Sequence, residues 1–233
     1  MKKFWGFLLV IVLMTSCGEY QSLLKSNDYN LVYKKAIEYY NKGDYQRAMN
    51  LLDGVRSVFV GQAKAQNIAY YRAFCSYNMK DYQIASDLFK QFIQTYPESS
   101  FAEECLYMMG FCDYKASPKP RLDQQVTEKA IREFQLYLSR YPYSMRKDKV
   151  NTYMDEMRDK LSYKAYLSAK NYYLREHYKA AVISLQNCLK DYPGSKYREE
   201  IMYMLFVSKY QMAVNSVEDK KVERYNNARE EYY

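Results

Sequence analysis

The sequence has very little of the chemistry that enzymes and metal proteins use. Its 233 residues include one histidine, His177, which falls in a predicted turn. It contains no HExxH, no GxSxG and no glycine-rich phosphate loop, so no nucleophile, general base or ligand set can be assigned. Paired acids such as Glu103–Glu104 and Glu199–Glu200 come at predicted helix starts, where they favour the helix dipole. We therefore expect no enzymatic activity, no catalytic residue, no cofactor and no metal.

A dense block of one charge sign is also missing. The formal net charge is +8, but lysine and arginine alternate with aspartate and glutamate along the whole chain. No stretch resembles a nucleic-acid-binding motif, so we do not expect a nucleic-acid partner. The mild positive excess is typical of a solvated helical surface.

What the sequence does have is a repeated tyrosine pattern. In each copy a tyrosine is followed by a small residue three positions later and by a second tyrosine seven positions later. Seven residues are about two helical turns, so both tyrosines of a copy share one helix face. Copies begin at Tyr33, Tyr70, Tyr107, Tyr166 and Tyr203, the last with Phe206 in place of the small residue. Three of the four gaps are 37 residues and the fourth is 59.

A second pattern interleaves with the first and ends in proline. Three copies close at Tyr96–Pro97, Tyr141–Pro142 and Tyr192–Pro193. Because proline cannot continue a helical hydrogen-bond ladder, each pair marks the end of a helix. Two helices in a period in the mid-thirties predict an all-α solenoid of helical hairpins with about five repeats.

Two insertions interrupt this period. Residues 117–125 contain Pro118 and Pro120, which predict a loop, with Asp123 or Thr127 as a cap for the next helix. The second insertion, between Pro142 and Tyr166, has no glycine or proline and is about four helical turns long. It predicts one long helix from Lys147 to Tyr173.

The first residues precede the repeats. Lys2 and Lys3 are followed by the apolar run Phe4–Met14, which as a helix rises about 16 Å and suits a signal-peptide core better than a membrane span. The stretch Leu13–Cys17 resembles a bacterial lipobox, which implies a signal peptide at 1–16 and acylation (palmitate) of Cys17. Residues 17–28 would then form a lipidated leader, since more than one acyl chain gives stable anchoring. An ordinary signal peptide with an incidental cysteine is the alternative.

The carboxyl-terminal end of the sequence allows two interpretations. The spacing of Ala85 to Pro97 places the terminal proline of the fifth repeat at position 240, past Tyr233. We expect either that the chain continues in a longer protein or that a short last helix serves as a cap.

Specific positions of the repeat resemble a known family. Tyr82, Ala85, Phe89 and Pro97 are spaced as in the second half of a tetratricopeptide repeat. The small residues Ala36, Ala73, Gly110 and Ala169 match the position where that family's two helices touch. Together with the lipobox, the insertions and the stretch from Leu122 to Pro142, the five repeats are similar to the BamD family of outer-membrane assembly lipoproteins.

The resemblance implies a function and a location. A protein of that family is a lipid-anchored scaffold and receptor of the β-barrel assembly machinery, on the periplasmic face of the outer membrane. Its expected partners are unfolded outer-membrane β-barrel proteins and the periplasmic domains of the barrel insertase. Repeats 1–3 (29–142) would receive substrate, and repeats 4–5 with the long helix (143–233) would dock the insertase. Another periplasmic tetratricopeptide lipoprotein, in glycan uptake, division or motility, is the alternative.

Tyrosine is the most over-represented residue, at 29 of 233. In the tetratricopeptide family the matching tyrosine positions face the concave peptide-binding groove, and a tyrosine there offers apolar area and a hydroxyl. The groove positions implied are Tyr33, Tyr40, Tyr70, Tyr77, Tyr107 and Tyr114. The alternative is that these rings pack between helices as core.

Four cysteines follow Cys17, and none forms a CxxC pair or has metal-site spacing. They are Cys75, Cys105, Cys112 and Cys188. Cys75 and Cys112 occupy equivalent helix-interior positions, where a free cysteine behaves as a small apolar residue. A Cys75–Cys105 disulfide is the alternative that an oxidising periplasm permits.

Overall fold

The structure, a computed structural model, describes residues 18–230. The predicted signal peptide and the predicted acylation site at Cys17 lie outside the described residues. Within residues 18–230 the regular secondary structure is helical and includes no β-strand, which confirms the all-α prediction. In the same range, no helix is both long enough and apolar enough to cross a membrane.

Helical hairpins follow one another along the chain. After a first helix, α1, at residues 18–24, the helices are α2 (Tyr29–Asn41), α3 (Tyr45–Val55), α4 (Lys64–Asn78), α5 (Tyr82–Thr95), α6 (Ala102–Ala116), α7 (Gln125–Arg140), α8 (Lys147–Leu174), α9 (Tyr178–Asp191), α10 (Arg198–Val214) and α11 (Glu218–Glu230). They form two compact units. Unit 1 runs up to Ser117 and includes Lys129–Ser144, and unit 2 comprises Pro118–Glu128 and the chain from Met145 onward.

Unit 1 stacks the hairpins α2–α3, α4–α5 and α6–α7. The Asp28 carboxylate caps α2 by accepting from the Leu31 amide at 3.0 Å, and Asp44 caps α3 in the same way through the Arg47 amide at 3.2 Å. Fully buried small residues such as Ala36 and Ala48 let the helices approach, and larger side chains fill the space between them. The largest of these are Leu51, Leu52, Phe89, Phe92, Phe134 and Tyr137.

Gly110 shows why α6 needs a small residue at this repeat position. A Cβ built on Gly110 would lie 2.9 Å from Phe134 Cδ1 and 3.0 Å from Phe134 Cε1. The ring of Phe134 is fully buried and cannot move into solvent. The small residue of α6 is therefore required by contact with α7.

The turns within the hairpins share a left-handed residue. Gly43 has φ 81°, and Lys80 and Glu176 take φ 67° and 60° at the corresponding turn position. The left-handed region favours glycine, since side chains crowd the backbone there. The repeat thus imposes one turn geometry that glycine adopts freely and the other two residues adopt with strain.

Unit 2 contains the long helix that the second insertion predicts. α8 runs unbroken from Lys147 to Leu174, which confirms the prediction, and packs against α9 and α10. Its buried residues Tyr166 and Ala169 join a core with Leu185 and Leu205. α11 packs against α10.

The first insertion is a loop, as predicted, and belongs to unit 2. Asp123 Oδ1 accepts from the Gln125 amide at 3.0 Å, so this predicted cap does serve the start of α7. Thr127 has another role: it is buried within α7, and its hydroxyl donates to Gln124 Oε1 at 2.7 Å. Gln124 Nε2 in turn donates to the carbonyls of Lys119 and Leu122, at 2.8 and 3.1 Å, which closes the loop on itself.

Candidate functional site

A groove of about 710 Å³ lies in unit 1 along helices α2 and α4. Phe101, immediately before α6, closes one side. The lining residues are Asn30, Tyr33, Lys34, Ile37, Glu38, Asn41, Lys64, Asn67, Tyr70, Tyr71 and Phe101. They combine aromatic rings, side-chain amides and charges of both signs.

The lining follows the sequence repeat. Successive helices contribute residues from matching positions, 37 apart: Asn30 with Asn67, Tyr33 with Tyr70, Lys34 with Tyr71, and Lys64 with Phe101. Such matched rows suit an extended polymer that crosses one repeat after another. Side-chain amides both donate and accept, so the two asparagines can bond to a peptide backbone whatever its sequence.

Lys64 is held over the aromatic floor. Its Nζ donates to Asn30 Oδ1 at 2.5 Å and lies 5.7 Å from the ring centre of Tyr33 and 5.2 Å from that of Phe59. Cation–π contacts of this kind fix a long side chain with its charge still available. With Lys34 and Glu38, Lys64 gives the groove mixed charge and a small positive excess.

Tyr70 is fixed in the groove from two sides. Its hydroxyl donates to Glu104 Oε2 at 2.8 Å, and its ring centre lies 4.5 Å from that of Phe74 and 4.6 Å from that of Phe101. Burial, followed by the nearby Glu104, raises the pKa of Tyr70 above its usual range, and burial also raises the pKa of Tyr33. Both phenols therefore remain protonated donors at neutral pH.

The other four predicted groove tyrosines lie elsewhere in unit 1 and do not line this groove. Tyr40 packs on Tyr71 with ring centres 4.9 Å apart, and burial raises its pKa to about 12. Tyr77, Tyr107 and Tyr114 all contact Phe111, with Tyr107 only 7% exposed. These rings form an aromatic row, and a ligand-binding role for them stays a prediction.

Several groove residues were not predicted from the sequence. They are Asn30, Lys34, Ile37, Glu38, Asn41, Lys64, Asn67, Tyr71 and Phe101. A usable signal was present for six of them, which form three pairs spaced by 37 residues: Asn30 with Asn67, Lys34 with Tyr71, and Lys64 with Phe101. A search for tyrosine alone missed these pairs because the residue type can change from one copy to the next. Lys34 and Tyr71, for example, occupy the same repeat position.

Metal-ligand clusters and cysteines in the described part of the chain were predicted to have no binding or redox role. Residues 18–230 contain no cluster of three histidine, cysteine or acidic side chains able to hold a metal ion. Cys75, Cys105, Cys112 and Cys188 are buried and free. Burial raises the pKa of the Cys75 and Cys105 thiols to about 12, so these thiols are poor nucleophiles. His177 is exposed, as its predicted turn position suggests.

Stacked helical hairpins with a small residue at each helix contact, together with a groove lined at repeat spacing, define a tetratricopeptide-like repeat protein. Comparison with protein families matches residues 25–224 to YfiO, described as an outer membrane lipoprotein. Because the match spans most of the chain, the protein belongs to the YfiO family of outer membrane lipoproteins. A search of curated proteins finds no match.

Proposed function

We propose that this protein is a scaffold and receptor of the β-barrel assembly machinery, anchored at the periplasmic face of the outer membrane by a lipid on Cys17. Unit 1 receives unfolded outer-membrane proteins in the groove along α2 and α4. Unit 2 docks the periplasmic domains of the barrel insertase. The protein acts by binding and carries out no catalytic step.

The observation that carries this proposal is the composition of the unit 1 groove. The strands of an outer-membrane β-barrel alternate apolar and polar residues, with aromatic residues where the strands meet the membrane interfaces. The rings of Tyr33, Tyr70 and Phe101 offer apolar area to the aromatic side chains. The amides of Asn30 and Asn67 can hold the unpaired backbone between them. Membership of a family of outer membrane lipoproteins supports the location.

Docking by unit 2 is supported by the apolar surface of its last hairpin. Tyr203, Val217 and Val222 are 63%, 69% and 72% exposed. Several large apolar side chains at the surface of α10, of α11 and of the turn between them are typical of a region that another protein covers.

The proposal is tested first by depletion of the protein in its host. We expect folded outer-membrane barrels to fall and unfolded forms to accumulate in the periplasm, while other outer-membrane lipoproteins keep their level. Unchanged barrel levels would refute a role in assembly and leave an envelope scaffold with another partner.

The groove itself is tested by direct binding. A labelled peptide from the last strand of a barrel should bind the full chain, and Asn67→Ala or Tyr33→Ala should weaken binding several-fold. Tyr172→Ala, at an exposed tyrosine of α8, is the matched control and should bind as the unaltered protein does. Equal binding by all variants would place the substrate elsewhere on the chain.

A further inference from the structure

Unit 2 contains a second groove, of about 740 Å³, along one face of α8. Its lining residues on α8 run from Tyr163 to Leu174, a rise of about 16 Å, which is enough for about five extended residues. The full lining is Arg121, Tyr163, Lys164, Tyr166, Leu167, Ser168, Lys170, Asn171, Leu174 and Tyr197.

The rim of this groove is built from the first insertion. Lys164 Nζ donates to the Leu122 carbonyl at 2.8 Å, and Gln124 Nε2 donates to the same carbonyl at 3.1 Å. These two bonds hold the loop against α8. The loop therefore presents the exposed Arg121 at the edge of the groove.

The floor is a stack of aromatic rings. The rings of Tyr166 and Tyr197 are 4.3 Å apart and within 12° of parallel, and Tyr163 stacks on Tyr197 at 5.3 Å. Leu167 and Leu174 extend the apolar surface along α8. A preformed floor of this kind lowers the entropy lost when a ligand is ordered on it.

The lining is cationic. Arg121, Lys164 and Lys170 contribute positive charge, and none of the ten lining residues is acidic. Lys170 is neutralised by Glu200, whose Oε1 lies 2.8 Å from its Nζ. Lys164 bonds to a neutral carbonyl, and Arg121 is paired with no acid of residues 18–230. Two positive charges therefore remain without compensation.

We propose that this groove binds an extended acidic peptide segment of a partner protein. Carboxylates of the segment pair with Arg121 and Lys164, its apolar side chains lie on the tyrosine floor, and Ser168 and Asn171 bond to its backbone. A polypeptide suits the site because a polar row and an apolar row run side by side along α8. Lys164, Ser168 and Asn171 form the polar row, and Tyr163, Leu167 and Leu174 form the apolar row. The inference does not rest on the proposed function, since it concerns a different groove and needs no barrel substrate.

The test is direct binding to the full chain in detergent. The probe is a short fluorescein-labelled peptide of glutamate and tyrosine, compared with the same peptide carrying glutamine for glutamate. We expect only the acidic peptide to bind, and more weakly as salt screens the charges. Arg121→Gln should weaken binding about threefold to fivefold, as expected for one partly exposed charge pair.

Two variants make the result specific. Lys190→Gln removes one exposed positive charge from α9 outside the groove and should leave affinity unchanged. Glu200→Gln removes the acid that neutralises Lys170 and should strengthen binding, a gain that misfolding cannot produce. Equal binding of both peptides, equal losses in Arg121→Gln and Lys190→Gln, or no gain in Glu200→Gln would overturn the proposal. So would Arg121-dependent binding to phosphatidylglycerol vesicles without peptide binding, which would assign the groove to a lipid phosphate.

Discussion

The Tyr166 hydroxyl donates to Glu200 Oε2 at 2.7 Å, linking the first tyrosine of the fourth repeat to the start of the fifth. The same bond recurs in unit 1, where Tyr70 donates to Glu104 at 2.8 Å. In both pairs the partners are 34 residues apart. In these two copies the first tyrosine therefore has a structural role as well, because its hydroxyl ties its helix to the start of the next repeat.

Removing one such hydroxyl should weaken the fold measurably. Tyr166→Phe keeps the ring stack and deletes the bonds of the hydroxyl with Glu200 and with Lys170 Nζ, which lies 2.8 Å away. We expect a loss of about 0.5–1.5 kcal/mol in the free energy of unfolding, measured by urea denaturation at neutral pH. Tyr203→Phe, at a tyrosine that is 63% exposed, is the matched control and should be neutral.

The loss of stability in Tyr166→Phe should also depend on pH. Hydrogen bonds from Lys170 and then from Tyr166 lower the pKa of Glu200. The stability that Glu200 contributes is therefore present above its unfolded pKa and is lost as pH falls through the lower folded pKa. The difference between Tyr166→Phe and the unaltered protein should shrink in acid. A constant difference across pH would show that the Glu200 bond is not the source of the loss.

A partly buried charge cluster in unit 1 predicts an opposite pH dependence. Lys129 Nζ lies 2.9 Å from Asp113 Oδ2 and 3.6 Å from Glu133 Oε1, with Asp87 at 3.9 Å and the buried Ser86 hydroxyl at 3.2 Å. Glu133 is 8% exposed, and its Oε2 has no hydrogen-bond partner among the described residues. Burial, followed by the nearby Asp113, raises the pKa of Glu133 to about 8.

Glu133→Gln should therefore stabilise the protein at neutral and alkaline pH. The stability linked to a raised pKa is complete below the unfolded value, about 4.5, and is lost as pH rises through about 8. We expect the melting temperature of Glu133→Gln to match the unaltered protein near pH 4 and to exceed it increasingly up to about pH 8. Thermal unfolding followed by circular dichroism at several pH values measures these melting temperatures. Glu98→Gln, at an exposed turn, is the control and should not change the melting temperature. A lower melting temperature of Glu133→Gln at pH 8 would contradict the prediction and mean that Lys129 holds Glu133 ionised.

The helical architecture followed from the sequence because its signals are local. The Tyr-Pro pairs and the 37-residue gaps mark helix ends, and the absence of glycine and proline after Pro142 predicted α8 nearly to the residue. Proline and helical periodicity act over a few residues, so one sequence suffices to read them.

The groove was predicted less completely because it depends on contacts between repeats. Tyr33 and Tyr70 line it, but Tyr107 is buried against Phe111 although it occupies the same repeat position. The sequence alone does not show which neighbouring ring covers a tyrosine. From the sequence, Glu104 and Glu200 were expected only to stabilise helix starts through the helix dipole. Their hydrogen bonds with Tyr70 and Tyr166 are seen only in the structure.

Close packing at Gly110 gives a third prediction. Gly110→Ala would place a methyl group 2.9 Å from the fully buried Phe134 ring, so we expect a loss of about 1–3 kcal/mol in unfolding free energy. Gly54→Ala is the matched control, because Gly54 also lies in a helix but has nothing within 4 Å of an added Cβ. The Gly54→Ala substitution should be neutral or slightly stabilising. Partial rescue of Gly110→Ala by Phe134→Leu would identify the contact, and equal effects of the two alanine substitutions would contradict it.

Thiol labelling can distinguish four free cysteines from a Cys75–Cys105 disulfide. All four described cysteines are buried and free, and burial raises the pKa of the Cys75 and Cys105 thiols to about 12. In a chain carrying Cys17→Ser, a thiol-reactive dye should label the native protein very slowly, because the reactive thiolate is scarce and covered. Denaturation without reductant should then release four reactive thiols. If reductant were needed to reach that number, a disulfide would be present and the free-thiol structure would be wrong.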